Sequence, residues 1–150
     1  MPDEIGFGRF NGCYRHKVDD KGRLPIPFRW RPEESIEFTL IVWPKHQAGK
    51  CLRVLLPEQW AKLFAEIEAI PDNDQKAVLK RKIGTSSALA KLDNVGRITI
   101  PDDMLKAADI TNEAVLAGMI DRFEIWSPKR YPQTEALDDA IVTKAFHNMQ

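Results

Sequence analysis

Two short segments carry the residue types best suited to gripping an anion. Asp19-Asp20-Lys21-Gly22-Arg23 and Asp93-Asn94-Val95-Gly96-Arg97 place an Asp, a Gly and an Arg at the same spacing, offset by 74 residues. An Asp opening such a segment accepts local backbone amides and the Gly takes a positive φ, so each reads as a tight turn. Glycine lets backbone come close to a phosphate, and the neighbouring guanidinium can bind phosphate or guanine bidentately. Arg23 and Arg97 are therefore the prime nucleic-acid contact candidates. Lys21 adds phosphate affinity, and Arg15, Lys17 and Arg29 extend the basic stretch around it. Asp19, Gly22, Asp93 and Gly96 are assigned to shaping the turns, with the carboxylates also able to orient the arginines. The rival reading is a buried Asp–Arg pair that merely stiffens each turn.

Other chemistries fit less well. Cys13-x2-His16 and His46-x4-Cys51 offer two thiolates and two imidazoles, enough in number for tetrahedral zinc, but the spacing is not that of a finger. Cys51 is expected in a strand facing the core, so no metal site is assigned. Asp19/Asp20 and Asp102/Asp103 are adjacent carboxylates, and neighbours in sequence seldom face one reacting atom. Ser86 and Ser87 lack a nucleophile motif, and no Walker loop or dinucleotide fingerprint is present. No catalytic residue, cofactor or small-molecule substrate is expected.

The elements that must position the turns come from a duplication. The stretch Val18–Pro27 aligns with Leu92–Pro101, and Leu52–Pro57 followed by Trp60 aligns with Phe123–Pro128 followed by Tyr131. The second offset is 71, so the second copy is three residues shorter, and the surplus falls in the Pro44–Lys50 loop. Each copy reads as strand, turn, strand, short crossover, strand, strand. The alternation Leu24/Ile26 and Ile98/Ile100 suits half-buried strands, and further strands are expected at Phe38–Trp43, Cys51–Leu56, Ala114–Met119 and Phe123–Trp126. Pro25 removes an amide that a central strand would need, which predicts an edge or a bulge. Pro101 with Asp102 and Asp103 opens a short helix, whereas Pro27–Pro32 allows one turn at most. Between the copies, Pro57 starts a helix with Trp60, Leu63, Phe64, Ile67 and Ile70 on one face. Asp72 or Asn73 caps a second helix running through Lys76–Ile83, which Gly84-Thr85-Ser86-Ser87 ends before the second copy begins. A last helix is expected over Glu135–His147. The resulting division is 10–59 and 87–131 for the two halves, 60–86 for a helical connector and 132–150 for a tail.

The whole chain of 150 residues is formally neutral, with 22 basic and 22 acidic side chains and 43% apolar residues, enough for a packed core. The neutrality hides segregation. Between Arg9 and Arg31 lie seven bases against two acids, and between Gln75 and Lys91 five bases and no acid. That pattern permits a one-sided anion-binding surface, or two solvated faces pointing apart. Met1–Gly8 has no apolar core of a secretory signal, Phe38–Trp43 is far too short to cross a bilayer, and two cysteines make no disulfide framework. A cytoplasmic protein without membrane contact is expected.

The two Asp-x-x-Gly-Arg segments with Pro27 and Pro101, together with Gly118-Met119-Ile120-Asp121-Arg122-Phe123-Glu124-Ile125-Trp126, resemble the MraZ family from Phe10 to Tyr131. The resemblance implies an α+β, mainly β fold: two SpoVT-AbrB-type half-domains interlocked as a swapped-hairpin, double-ψ-type β-barrel with connecting helices. It further implies a nucleoid-associated transcriptional regulator, usually a repressor, that binds short repeats in the promoter of the bacterial division and cell-wall gene cluster. Ring-shaped homo-oligomers presenting both turns to double-stranded DNA belong to the same expectation. Val95 stands where the first turn has Lys21, so Arg23 is ranked above Arg97 for DNA affinity. Few contacts per protomer make binding depend on several turns acting together. Two rival readings are an AbrB-type antitoxin whose Glu135–Met149 segment binds a partner, and a ring-forming scaffold with Trp30, Trp43 and Trp126 at interfaces. Core packing is the preferred role for those tryptophans.

Overall fold

A computed structural model describes residues 9–33, 35–44 and 46–149; the segment read above for a signal, residues 1–8, lies outside them. The strands are β1 (Cys13–Lys17), β2 (Arg23–Pro25), β3 (Phe38–Trp43), β4 (Cys51–Leu55), β5 (Ser87–Ala90), β6 (Arg97–Thr99), β7 (Glu113–Gly118) and β8 (Phe123–Trp126). The helices are α1 (Pro57–Glu68), α2 (Asp74–Thr85), α3 (Asp102–Ala107) and α4 (Tyr131–His147), with a single 3-10 turn at Phe28–Trp30. Strand β4 stops one residue short of Leu56 because Leu56 is the N-cap of a helix whose first residue is Pro57. Helix α2 ends within the expected Gly84–Ser87 segment: its last residue is Thr85, whose hydroxyl donates to the Arg81 carbonyl at 2.8 Å, and Ser86 is its C-cap. Helix α4 begins at Tyr131, with Pro132 in its first turn, four residues before the expected start.

Six strands form one antiparallel sheet in the order β1-β7-β8-β4-β3-β5, and β2 pairs with β6 as a separate two-stranded ribbon. The expected closed barrel is therefore not formed: β1 and β5 are sheet edges, and β2 and β6 each stop after three residues, before Pro27 and Pro101. The leading strand of each copy pairs with the third strand of the other, β1 with β7 and β5 with β3. At the centre, Leu24 faces Ile98 and Arg53 faces Glu124. Each of these is a pair of repeat-equivalent residues, so an approximate twofold axis passes between them. The loops joining the last two strands of each copy span 44–50 and 119–122, which accounts for the three-residue difference between the copies.

The main core fills the space between the sheet and the ribbon. Leu24, Ile26, Ile98 and Ile100 from the ribbon side meet Leu40, Leu52, Val54, Leu116 and Ile125 from the sheet. Trp30 sits at its aromatic centre, 4.9 Å from Phe123, 5.7 Å from Phe10 and 5.3 Å from Tyr14 between ring centroids. Its indole N–H donates to the Asn11 carbonyl at 3.1 Å, so this large side chain is buried with its polar atom satisfied. A smaller cluster on the far sheet face joins Cys51, Val115, Ala117 and Trp126 beneath Tyr131. There Arg53 and Glu124 form an ion pair at 2.8 Å. Glu124 also accepts from the Trp126 indole at 2.9 Å, and the guanidinium lies 4.0 Å from the Trp43 ring centroid.

Helices α1 and α2 form a hairpin capped by Asn73, whose side chain accepts from the Lys76 amide at 3.1 Å. Lys76 is buried in the bend, donating to the Glu68 carbonyl and to the Asp72 carboxylate. Among the described residues no helix is long and apolar enough to cross a membrane.

Candidate nucleic-acid interface

Both Asp-x-x-Gly-Arg segments fold into the same hydrogen-bonded turn. In the first, Asp19 Oδ1 accepts from the amides of Lys21 at 3.0 Å and Arg23 at 2.8 Å, and Oδ2 accepts from Arg23 Nε at 2.6 Å. In the second, Asp93 does the same with Val95 at 3.0 Å, Arg97 at 2.9 Å and Arg97 Nε at 2.8 Å. Gly22 and Gly96 stand at φ +78° and +86°, in the left-handed region that a side chain would strain. The amides of Arg23 and Arg97, aided by the guanidiniums themselves, hold the Asp19 and Asp93 carboxyls below the usual carboxylate range.

The turns lie at opposite ends of the β2–β6 ribbon and are tied across it. The Ile26 amide donates to the Gly96 carbonyl at 3.0 Å, and the Ile100 amide donates to the Gly22 carbonyl at 2.8 Å. Strand alternation puts Leu24 and Ile98 on the inner face, both fully buried, so Arg23, Pro25, Arg97 and Thr99 share the outer face. Arg23 and Arg97 are thus brought together. Each side chain is about a third exposed (33% and 32%), so the pairs are neither buried locks nor free surface salt bridges. Each guanidinium is held at Nε by its aspartate and makes no other hydrogen bond among the described residues, which leaves both terminal nitrogens available. Lys21 sits exposed at the tip of the first turn, and Val95 is 61% exposed at the tip of the second.

The remaining basic candidates divide. Arg15 and Lys17 alternate along β1 with Tyr14 and His16. Tyr14 packs on the main core, so Arg15 and Lys17 project from the sheet face opposite the ribbon. Arg29 is exposed on the 3-10 turn and borders a cleft that the second turn also lines, through Asp93, Asn94 and Gly96. Arg9 and Arg31 line the same cleft, and neither was singled out from the sequence. The signal was present: Phe28–Arg31 aligns with Asp102–Leu105, and pairing across copies carries each segment to the other copy's turn. A Cβ on Gly96 would collide with the Arg31 guanidinium, while one on Gly22 would lie 3.6 Å from Leu105 Cδ1. The second basic segment is partly spent inside the helical hairpin, where Lys80 pairs with Glu68 at 2.8 Å and Lys76 with Asp72 at 3.0 Å.

The cysteine–histidine set does not converge. Cys13 and His16 are three apart on one strand and point to opposite faces, and Cys51 is buried, which pushes its thiol pKa up. Among the described residues no group of three or more His, Cys, Asp or Glu side chains could hold a metal ion.

Comparison with known proteins decides the family. A family profile described as "MraZ protein, putative antitoxin-like" matches residues 86–149. A protein of Roseiflexus sp. (strain RS-1) named "Transcriptional regulator MraZ" is 33% identical over 134 residues, covering 87% of this chain and 90% of the relative. The chain belongs to the MraZ family. A second MraZ relative, from Roseiflexus castenholzii, is 35% identical over 132 residues with the same coverage, and one from Halothermothrix orenii is 32% identical over 123 residues, covering 81% of this chain and 83% of the relative. The family's members carry the name of transcriptional regulators, which is not an enzyme class.

Proposed function

We propose that this chain is a sequence-specific DNA-binding regulator, acting as a repressor of the bacterial division and cell-wall gene cluster by binding short direct repeats in its promoter. The observation that carries the reading is the ribbon. Its inner face is wholly buried, while its outer face presents two guanidiniums, each oriented through Nε with its terminal nitrogens unspent. A two-stranded ribbon of this width fits the major groove, where such a fork can grip guanine or a phosphate. Arg23 and Arg97 read or clamp the DNA, Lys21 and Arg29 add phosphate contacts, and Asp19, Gly22, Asp93 and Gly96 hold the turns. Arg15 and Lys17, on the other sheet face, meet DNA only where a strand wraps around β1 or a second protomer supplies it. The halves 10–59 and 87–131 interlock as swapped hairpins around the connector 60–86, and 132–150 is a tail. One protomer has few contacts to offer, so a ring-shaped homo-oligomer would multiply them. Such a protein would work in the cytoplasm, at the nucleoid.

Fluorescence-anisotropy titration of a duplex carrying spaced short repeats, beside a scrambled duplex, tests this directly. Each of Arg23→Ala and Arg97→Ala should weaken specific binding by about tenfold or more, with the gap between the two duplexes shrinking. Equal, weak binding to both duplexes by the unaltered protein would move the function to a protein partner.

A further inference from the structure

The surroundings of the second turn differ from those of the first, and they line a cleft. Its volume is about 700 Å³, a size that suits a small ligand. Arg9, Arg29 and Arg31 line it, and none of them forms an ion pair among the described residues. Two are held in place by main-chain carbonyls instead of carboxylates. Arg9 Nη1 donates to the Arg31 carbonyl at 2.6 Å, and Arg31 Nε donates to the Ile26 carbonyl at 2.8 Å. Of the two carboxylates among the described residues of the lining, Asp93 is already engaged by Arg97, which leaves Glu33 of that pair to offset the arginines.

Phe28 supplies the second half of the argument. Its ring is 80% exposed on the rim of the cleft, with the Arg31 guanidinium 5.5 Å from the ring centroid. An aromatic face beside cations is what a nucleobase and its phosphates need together: the base stacks and the guanidiniums take the charge. The repeat provides an internal control. The residues aligned with Phe28, Arg29 and Arg31 are Asp102, Asp103 and Leu105, so the aromatic and the positive charge belong to one copy's sequence and are no by-product of the fold.

We propose that this cleft is a nucleotide-binding site, in which Arg9, Arg29 and Arg31 hold phosphate and Phe28 stacks the base. A base paired inside a duplex cannot reach the ring, so the ligand is a free nucleoside polyphosphate or an unpaired nucleotide of a strand. The site goes beyond the groove contact of the ribbon, and its test uses no duplex, so it can fail while that reading stands.

The experiment is a titration of the full chain with a fluorescent nucleoside triphosphate, with pyrophosphate and a single-stranded oligonucleotide as competitors. Phe28 and Arg29 are both exposed, so Phe28→Ala and Arg29→Ala keep the fold, and their melting curves verify it. Saturable binding that weakens by about tenfold in each variant is expected. Competition by the oligonucleotide but weak binding of the triphosphate would place the ligand on a strand. Strong triphosphate binding would identify the free nucleotide. Loss in Arg29→Ala with none in Phe28→Ala would reduce the site to a phosphate clamp and overturn the stacking half of the proposal. No saturable binding of either probe, or binding indifferent to both substitutions, would overturn it altogether.

Discussion

The two turns are alike inside and opposite outside. Asp19 and Asp93 make the same three hydrogen bonds, and Gly22 and Gly96 take the same left-handed backbone. Their surroundings diverge. The first turn carries Lys21 at its tip and packs its glycine near α3, which opens with Asp102 and Asp103. The second carries Val95 at its tip and packs its glycine under Arg31, with Arg9 and Arg29 beside it. Duplication thus preserved the bonds that shape the loop and let the charge around it move. The positive charge that Val95 lacks at the second turn is restored from the other copy, through space.

The largest difference between the turns should appear on filling the glycines. Gly22→Ala pays for left-handed backbone and drives a methyl to 2.6 Å from the Ile100 carbonyl, a rigid ribbon atom, so a loss of about 2–3 kcal/mol is expected. Gly96→Ala has the same backbone strain but displaces a side-chain end, the Arg31 guanidinium with its hydrogen bond to the Ile26 carbonyl, in place of ribbon backbone, and about 1–2 kcal/mol should suffice. Urea denaturation of both variants measures this, and equal losses would mean that the environments do not differ mechanically. Exchanging the tips comes next. Lys21→Val should lower the salt dependence of duplex binding by about one counterion, and Val95→Lys should raise it by about as much. Affinity measured at several salt concentrations would break the comparison if only one tip responded. The smallest contrast is expected on acidification. Both carboxyls have lowered pKa values, so their contribution is fully present above the ordinary aspartate value near 3.9 and is lost as pH falls through the lower folded-state value. Monitoring the Arg23 and Arg97 Nε–H resonances during an acid titration should show both changing together. Separate midpoints would reveal that the outer charges reach into the turns.

Local chemistry made much of this legible in the sequence. Pro57, the Asp72-Asn73 pair and Pro101 mark helix starts in the sequence, with Asn73 the one of the pair that caps, and the aligned Asp, Gly and Arg residues mark both turns. That the barrel expected from the resemblance stays open was not legible, because strand closure depends on which amides find partners across the chain and not on the alternation within Leu24–Ile26 or Ile98–Ile100. The facing of Arg15 and Lys17 was hidden for a related reason. Both faces of the sheet are partly covered, so the pattern of β1 alone does not say which side holds the ribbon. Arg31 was missed because its partner is Gly96, far along the chain and reachable only through the pairing of one copy with the other.

The ion pair on the approximate axis has a consequence for assembly from parts. Arg53 and Glu124 are the same position in the two copies, and they face each other where the halves meet. A dimer made of two first halves would set arginine against arginine there, and one made of two second halves would set glutamate against glutamate, each in a poorly hydrated place. Only the mixed pairing matches plus with minus. Fusion of the two copies therefore did more than tether them: once the central position had diverged, self-association of either half was penalised and the hetero-pairing became the rule.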